Sequence, residues 1–137
     1  MKSQKALSMP AITMIMVLVL AIGIVIITNL LTNQNTWVKD KQGIWTKSGN
    51  PAATPQEVTQ QQEAIKLALQ LYEKEKTSRV LDSQCLGTVN RYAVDIVHNP
   101  RSQEDNLQQN QCSDYLEGRV SKFIEIDAQG DIVRVYD

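Results

Sequence analysis

A run of 33 residues, 6–38, contains no charged side chain, and residues 11–31 within it are almost all apolar. As a helix rising 1.5 Å per residue, 11–31 would extend about 30 Å, which matches the hydrocarbon core of a bilayer. The rest of the chain is polar and carries charges of both signs. The sequence therefore predicts a single membrane anchor at 10–32, in contact with lipid, after a short N-terminal segment at 1–9.

A cleavable secretory signal is the first alternative to an anchor. Such a signal has an apolar stretch of only about 7–15 residues and a small-x-small cleavage site. The run here is longer, and its exit at 28–35 contains no Ala-x-Ala. Lys2 and Lys5 precede the run without a neighbouring acid. The positive-inside rule therefore favours an N-terminus on the inner side of the cell membrane. We expect an uncleaved anchor with the C-terminal domain outside.

Charge excludes nucleic acid as a partner of this outer part. Residues 33–137 hold 12 Lys and Arg against 15 Asp and Glu, a formal charge of −3. A surface that binds nucleic acid would be strongly basic.

Composition also divides the chain after the predicted anchor into two segments. They are a juxtamembrane linker at 33–53, rich in Asn, Gly and Pro, and a folded domain at 54–137.

The domain begins with a predicted amphipathic helix over 55–76. Thr54 can cap it, Pro55 suits the first helical position, and Glu57 would complete a capping box. Apolar residues recur at helical spacing from Val58 to Tyr72, while polar residues, including the three glutamines at 60–62, fill the opposite face. Such a helix packs its apolar stripe on a sheet.

Strand character dominates the remainder. Apolar residues alternate with polar ones over 88–97, and two further strands, 119–126 and 131–136, flank a short turn that contains Gly130. A long polar loop, 99–111, separates the first strand from this hairpin. The prediction is an α+β domain with one helix on a three- or four-stranded antiparallel sheet.

Cys85 and Cys112 are the only cysteines, and both fall in the outer domain. We predict a structural disulfide between them, because a small domain has a modest core and benefits from a covalent crosslink. The bridge would close a loop of about 27 residues, worth roughly 3.5 kcal/mol by chain entropy. It would also fasten the 99–111 loop to the first long strand.

No catalytic or metal-binding constellation emerges from the spacing of the chemically active residues. Cys85 and His98 have the order of a nucleophile and its base, but a second cysteine is available to oxidise the thiol. A metal site built from Asp95, His98, Glu125 and Asp127 lacks any dense ligand motif. We therefore predict no enzyme, no cofactor and no metal.

The polar loop remains as a possible recognition element. Long loops held on a rigid scaffold often carry binding residues, although a solvated connector is an equally good interpretation here. The residues that such a site would use are Arg101, Glu104, Asp105, Asn106 and Asn110.

Three stretches resemble a PepSY-type domain, a small helix-plus-sheet module of extracytoplasmic proteins. They are Glu-Ala-Ile-Lys-Leu-Ala at 63–68, Tyr-Ala-Val-Asp-Ile at 92–96, and the closing hairpin 123–133 with its Asp-Ala turn and Gly130. Gln129 replaces the usual Thr before that glycine, and the cysteine pair is foreign to the pattern. The resemblance implies a cystatin-like fold and a binding or peptidase-modulating role.

A second resemblance, over the whole chain, is to type IV pilins. Both have a short basic leader, an apolar N-terminal helix and an α+β head, and Lys5-Ala6-Leu7 is similar to an archaeal leader-peptidase site. The bacterial motif with its Glu in the apolar run is missing. The expected function is a membrane-anchored accessory protein that binds a protein or peptide partner at the cell envelope, with a pilin-like structural subunit as the alternative.

Overall fold

The computed structural model describes residues 9–32 and 35–137, except the side chains of 11 and 29–32. The predictions that concern 1–8, including Lys2, Lys5 and the leader site, lie outside the described residues. The chain divides into two compact units, 1–35 and 36–137. The architecture is α+β, as the sequence predicted.

The first unit contains one helix, α1, over Met9–Thr32. The hydroxyl of Thr13 donates to the backbone carbonyl of Pro10, so this polar side chain in the first turns of α1 has its hydrogen-bond partner within the helix. Large apolar side chains from Ile12 to Ile27 are exposed. Among the described residues, no helix combines the length and the apolar character that crossing a membrane requires.

The second unit opens with a β-hairpin inside the stretch predicted to be a linker. Strands β1, Thr36–Lys39, and β2, Trp45–Ser48, pair antiparallel. The Asp40 carboxylate accepts the backbone N–H groups of Gln42 and Ile44 and so stabilises the turn. The linker prediction did not anticipate this hairpin, because four-residue strands leave almost no periodic signal.

Helix α2 spans Gln56–Glu75, close to its predicted limits. The predicted capping box is wrong: Pro55 is the N-cap residue, and no side chain caps the helix. The interpretation of the glutamines at 60–62 as a polar face is also wrong for Gln61, which is fully buried. Its amide oxygen accepts the backbone N–H of Trp45 at 2.8 Å, and its amide nitrogen donates to the Gly43 carbonyl at 2.9 Å. Gln61 thereby holds the β1–β2 hairpin to the helix.

Four strands form the main sheet in the order β3-β4-β5-β6. Their bounds are Gln84–Val89, Tyr92–Ile96, Lys122–Ile126 and Ile132–Tyr136. The strand predicted over 88–97 is in fact the end of β3, a two-residue turn and β4. The turn residues Asn90 and Arg91 both have positive φ, as a tight hairpin turn requires. The hairpin β5–β6 confirms the predicted turn that contains Gly130.

The predicted all-antiparallel pairing is wrong in the centre of this sheet. β3–β4 and β5–β6 are antiparallel, but β4 and β5 run parallel. A parallel pair needs a long return connection, since the chain must travel back to the same end of the sheet. Residues 97–121, called here the crossover segment, supply it and contain two short 3-10 turns and helix α3, Ser113–Leu116.

The core lies between α2 and one face of the main sheet. Small residues on the helix, Ala64 and Ala68, allow close approach to the sheet, and Tyr72 closes one end by donating its hydroxyl to the Ala128 carbonyl at 2.9 Å. The sheet contributes a continuous set of buried apolar side chains: Leu86, Tyr92, Val94, Ile96, Ile124, Ile126 and Val135.

Gly43→Ala should destabilise the domain by about 2–5 kcal/mol. Gly43 has φ +83°, and a Cβ there would lie 2.1 Å from the backbone oxygen of Val135 on β6. A left-handed conformation costs an L-residue about 1–2 kcal/mol, and a forced backbone shift adds about 1–3 kcal/mol. Urea unfolding of the full-length chain in mild detergent, followed by tryptophan fluorescence, measures the loss.

Gly118→Ala is the matched control for this substitution. Gly118 also has positive φ, +71°, but nothing lies within 4 Å of its virtual Cβ. Gly118→Ala should therefore destabilise the domain only by the conformational cost of about 1–2 kcal/mol. Equal destabilisation by the two substitutions would contradict the close packing of the β1–β2 turn against β6.

Candidate functional site

Two acidic side chains lie side by side on the face of the main sheet opposite the core. Asp95 on β4 and Glu125 on β5 are register partners in the parallel pair. Each lies between two core residues of its strand, and successive side chains of a strand point to opposite faces. Both therefore lie on the face away from α2, called here the back face. Like charges directly opposite each other on neighbouring strands are destabilising unless other groups compensate.

Two arginines compensate the charge of Glu125, which is buried. Arg134 on β6 makes a two-pronged contact, with Nε and Nη2 at 3.0 and 3.1 Å from the two carboxylate oxygens. Arg101, from the crossover segment, donates to the same carboxylate through Nη1. Paired geometry of this kind is the strongest form of carboxylate recognition. The crossover segment is thus fixed to the sheet by an ion pair at its start.

Asp95 has no such cationic partner in direct contact among the described ion pairs. The backbone N–H of Cys112 interacts with its carboxylate, but Oδ1 is buried without a hydrogen-bond partner. Burial, followed by the charge of Glu125, raises the pKa of Asp95 to about 6. This carboxyl group is therefore close to half-protonated near pH 6, unlike an ordinary surface aspartate.

The predicted disulfide is confirmed, since Cys85 and Cys112 are bonded. It joins β3 to the crossover segment and lies beside Asp95. Because both sulfur atoms are engaged in the bond, Cys85 offers no thiolate for nucleophilic attack, and the cysteines cannot act with Asp95 as metal ligands. The bridge fixes the crossover segment at its far end.

A second polar cluster surrounds His98, directly after β4. Its Nδ1 lies 2.9 Å from Oδ1 of Asp105 and its Nε2 lies 3.0 Å from Oδ1 of Asp82. Burial disfavours the charge on Asp105, yet hydrogen bonds from Ser102, His98 and Ser83 outweigh it and lower the pKa to about 2. The bond to Asp105 in turn raises the pKa of His98.

The five residues proposed for recognition divide into two kinds. Arg101, Asp105 and Asn110 hold the segment together: Arg101 binds Glu125, Asp105 is buried, and Asn110 donates to the Glu104 carbonyl at 2.9 Å. Glu104 and Asn106 are exposed, although Asn106 also accepts from Arg101 at 3.2 Å. These contacts give the segment a defined conformation.

The remaining candidate ligand, Asp127, has a structural role in the β5–β6 turn. Its Oδ1 accepts the backbone N–H groups of Gln129 and Asp131 at 3.0 and 2.9 Å. Sequence reasoning missed Asp82 and Arg134 altogether. Asp82 carries no local signal, whereas the alternation in 132–136 would have placed Arg134 on the back face.

No known protein-family model, curated protein or solved structure matches the chain. The candidate site is therefore defined by its own geometry: a covalently and ionically fixed crossover segment above a sheet face that carries two acids.

Asp95→Asn should stabilise the domain at neutral pH and flatten its pH dependence. The pKa of Asp95 is about 6 in the folded chain against an ordinary 3.8. The stability that its protonated form contributes is therefore fully present below about pH 4 and is lost as the pH rises through 6. The loss is on the order of 3 kcal/mol. Urea unfolding of the full-length chain at pH 4, 5, 6 and 7 should show wild type weakening over this window relative to the variant.

Asp131→Asn, an exposed carboxylate in the neighbouring turn, is the control and should leave the slope unchanged. If Asp95→Asn destabilises the chain as much at pH 7 as at pH 4, the assignment of a protonated, buried Asp95 is wrong.

Proposed function

We propose that this chain is a membrane-anchored binding protein of the cell envelope, with residues 10–32 in the lipid bilayer and the domain outside. The charge-free run 6–38 and the exposed apolar side chains of α1 support the anchor. A helix whose exposed side chains are mostly apolar is typical of burial against protein or lipid.

The disulfide supports the extracytoplasmic side. Structural disulfides persist in oxidising compartments and are rare in the cytosol. The bond between Cys85 and Cys112 is the only one the sequence allows, and it lies entirely in the domain. Together with the basic residues before α1, it favours an N-terminus inside and a domain outside the cell membrane.

The fixed conformation of the crossover segment is the observation that carries a binding role. Inward contacts fix its backbone at Arg101, Asp105 and Cys112, while its middle part presents exposed side chains. A surface that is ordered before binding loses less conformational entropy on association. The exposed residues at this position are Gln103, Glu104, Asn106, Leu107, Gln108 and Gln109.

The chemistry of this surface favours a protein or peptide partner. Amide side chains both donate and accept hydrogen bonds, and Leu107, 46% exposed, supplies an apolar contact at their centre. The domain is acidic overall, which disfavours nucleic acid. We assign no catalytic role, because Cys85 is oxidised and Glu125 is buried beneath its arginines. The PepSY resemblance would give the domain a similar binding or peptidase-modulating role.

A pilin-like structural subunit is the second candidate. An apolar helix ahead of a disulfide-bonded α+β unit favours it. The two candidates differ in the treatment of the N-terminus, because pilins are processed by a leader peptidase.

The mature chain should retain the residues that precede α1 and stay in the membrane. Intact-mass analysis of the purified chain should show Lys2 and Lys5 still present, and carbonate washing should leave the chain with the membranes. The double substitution Leu18→Lys and Ile22→Lys should release it, since each central lysine costs about 2.5–3.5 kcal/mol of insertion. Cleavage after Ala6 would instead favour the pilin-like subunit.

A photo-crosslinking amino acid at Gln108 should give a discrete adduct in intact membranes. The adduct should disappear when Leu107→Asp removes the apolar contact at the centre of the surface. Gln70, exposed on α2, is the control position and should give no such adduct. The same adduct from both positions, or an adduct that survives Leu107→Asp, would contradict recognition through the crossover segment.

A further inference from the structure

The imidazole of His98 is oriented by a buried carboxylate. Asp105 has a side chain with no exposed surface, and its oxygens accept the backbone N–H groups of His98 and Ser102 at 3.1 and 2.6 Å. Asp105 is an acceptor only, so the Nδ1 atom 2.9 Å away carries a proton and donates it, and the Ser102 Oγ, 3.0 Å from the same nitrogen, then faces that proton as a second acceptor. The other ring nitrogen, Nε2, is then the atom through which the imidazole can bind a cation.

Nε2 faces a second carboxylate rather than a donor. It lies 3.0 Å from Oδ1 of Asp82, whose side chain is 67% exposed. With Nδ1 protonated, two lone pairs would oppose each other at this distance unless a cation lies between them. A proton satisfies this requirement, and so does a metal ion.

Glu104 brings a third ligand to the same place. One ligand atom each from Asp82, His98 and Glu104 lie within 4.8 Å of one another, and the two carboxylates are exposed. Zinc bonds of about 2.0–2.2 Å require somewhat shorter separations, which rotation of exposed acidic side chains supplies. An adjoining cleft of about 290 Å³, lined in part by Asp82 and His98, leaves room for water as a further ligand.

We propose that Asp82, His98 Nε2 and Glu104 form a binding site for a divalent transition-metal ion such as Zn²⁺. Asp105 is the positioning residue, since a histidine ligand commonly donates its other N–H to a carboxylate that fixes its orientation. One imidazole with two carboxylates is a donor set that suits zinc. This site differs from the Asp95, His98, Glu125 and Asp127 set weighed from the sequence, with which it shares only His98.

The ion would join the segment before β3 to the segment after β4, just beyond the point where these two strands pair at Gln84 and Ile96. Asp82 precedes β3, whereas His98 and Glu104 belong to the crossover segment. A ligand that binds only the folded state stabilises it in proportion to its occupancy. Zinc should therefore raise the thermal midpoint of the domain and hold the crossover segment at a third position besides the ion pair and the disulfide.

Zinc titration of the full-length chain in detergent tests the proposal. The chain is stripped with a chelator that is then removed, and Zn²⁺ is added in competition with a fluorescent zinc indicator, with the disulfide intact. One Zn²⁺ per chain should bind, and X-ray absorption should show nitrogen and oxygen ligands without sulfur. Asp82→Asn and Glu104→Gln should each weaken affinity at least tenfold, the effect expected even for loss of an outer-shell partner.

Glu63→Gln, an exposed carboxylate on α2, is the matched control and should bind as wild type does. Thermal unfolding of each variant without zinc establishes that the exposed substitutions leave the fold intact. The proposal is overturned by the absence of saturable binding below about 100 μM, or by affinity that Asp82→Asn and Glu104→Gln leave unchanged. Equal weakening by Glu63→Gln would also overturn it, because it would indicate nonspecific binding to acidic surface.

Discussion

The parallel pairing of β4 with β5 is the constraint on which the rest of the domain depends. The chain leaves β4 at Ile96 and must re-enter at Lys122, at the opposite end of the neighbouring strand. No short turn can make that connection. The long crossover segment follows from this strand direction, and the disulfide to β3 and the ion pair with Glu125 then hold that segment against the sheet. An antiparallel pair could have been joined by a short turn.

The same pairing creates the polar back face. In-register parallel strands place Asp95 directly beside Glu125, so the sheet carries two adjacent acids at its centre. Arg134 compensates from the next strand, but Arg101 must come from the crossover segment. The crossover segment therefore both connects β4 to β5 and supplies an arginine that compensates the charge of Glu125. This explains why a long irregular stretch has so many inward contacts.

Local patterns predicted three of the local features correctly. The limits of α2, the β5–β6 hairpin and the disulfide all follow from periodicity, turn chemistry and the cysteine count. The direction of β4 relative to β5 does not, because pairing between strands separated by a long loop leaves no mark within either strand. Gln61 illustrates the same limit: a glutamine between two others is typical of a solvated face, and only the approach of the β1–β2 hairpin buries it.

The candidate site could be predicted in position but not in detail. The polar composition of 99–111 indicated a candidate recognition loop. Composition cannot distinguish the residues that fix the backbone of such a loop from those whose side chains are exposed on it. That separation depends on which side chains reach Glu125, His98 or a backbone carbonyl, and these partners come from other elements. Arg101 and Asp105 act inward, so the free energy of their contacts fixes the backbone. Glu104 and Leu107 are exposed on that fixed backbone, which is why the proposed partner and the proposed ion are both assigned to this part of the segment.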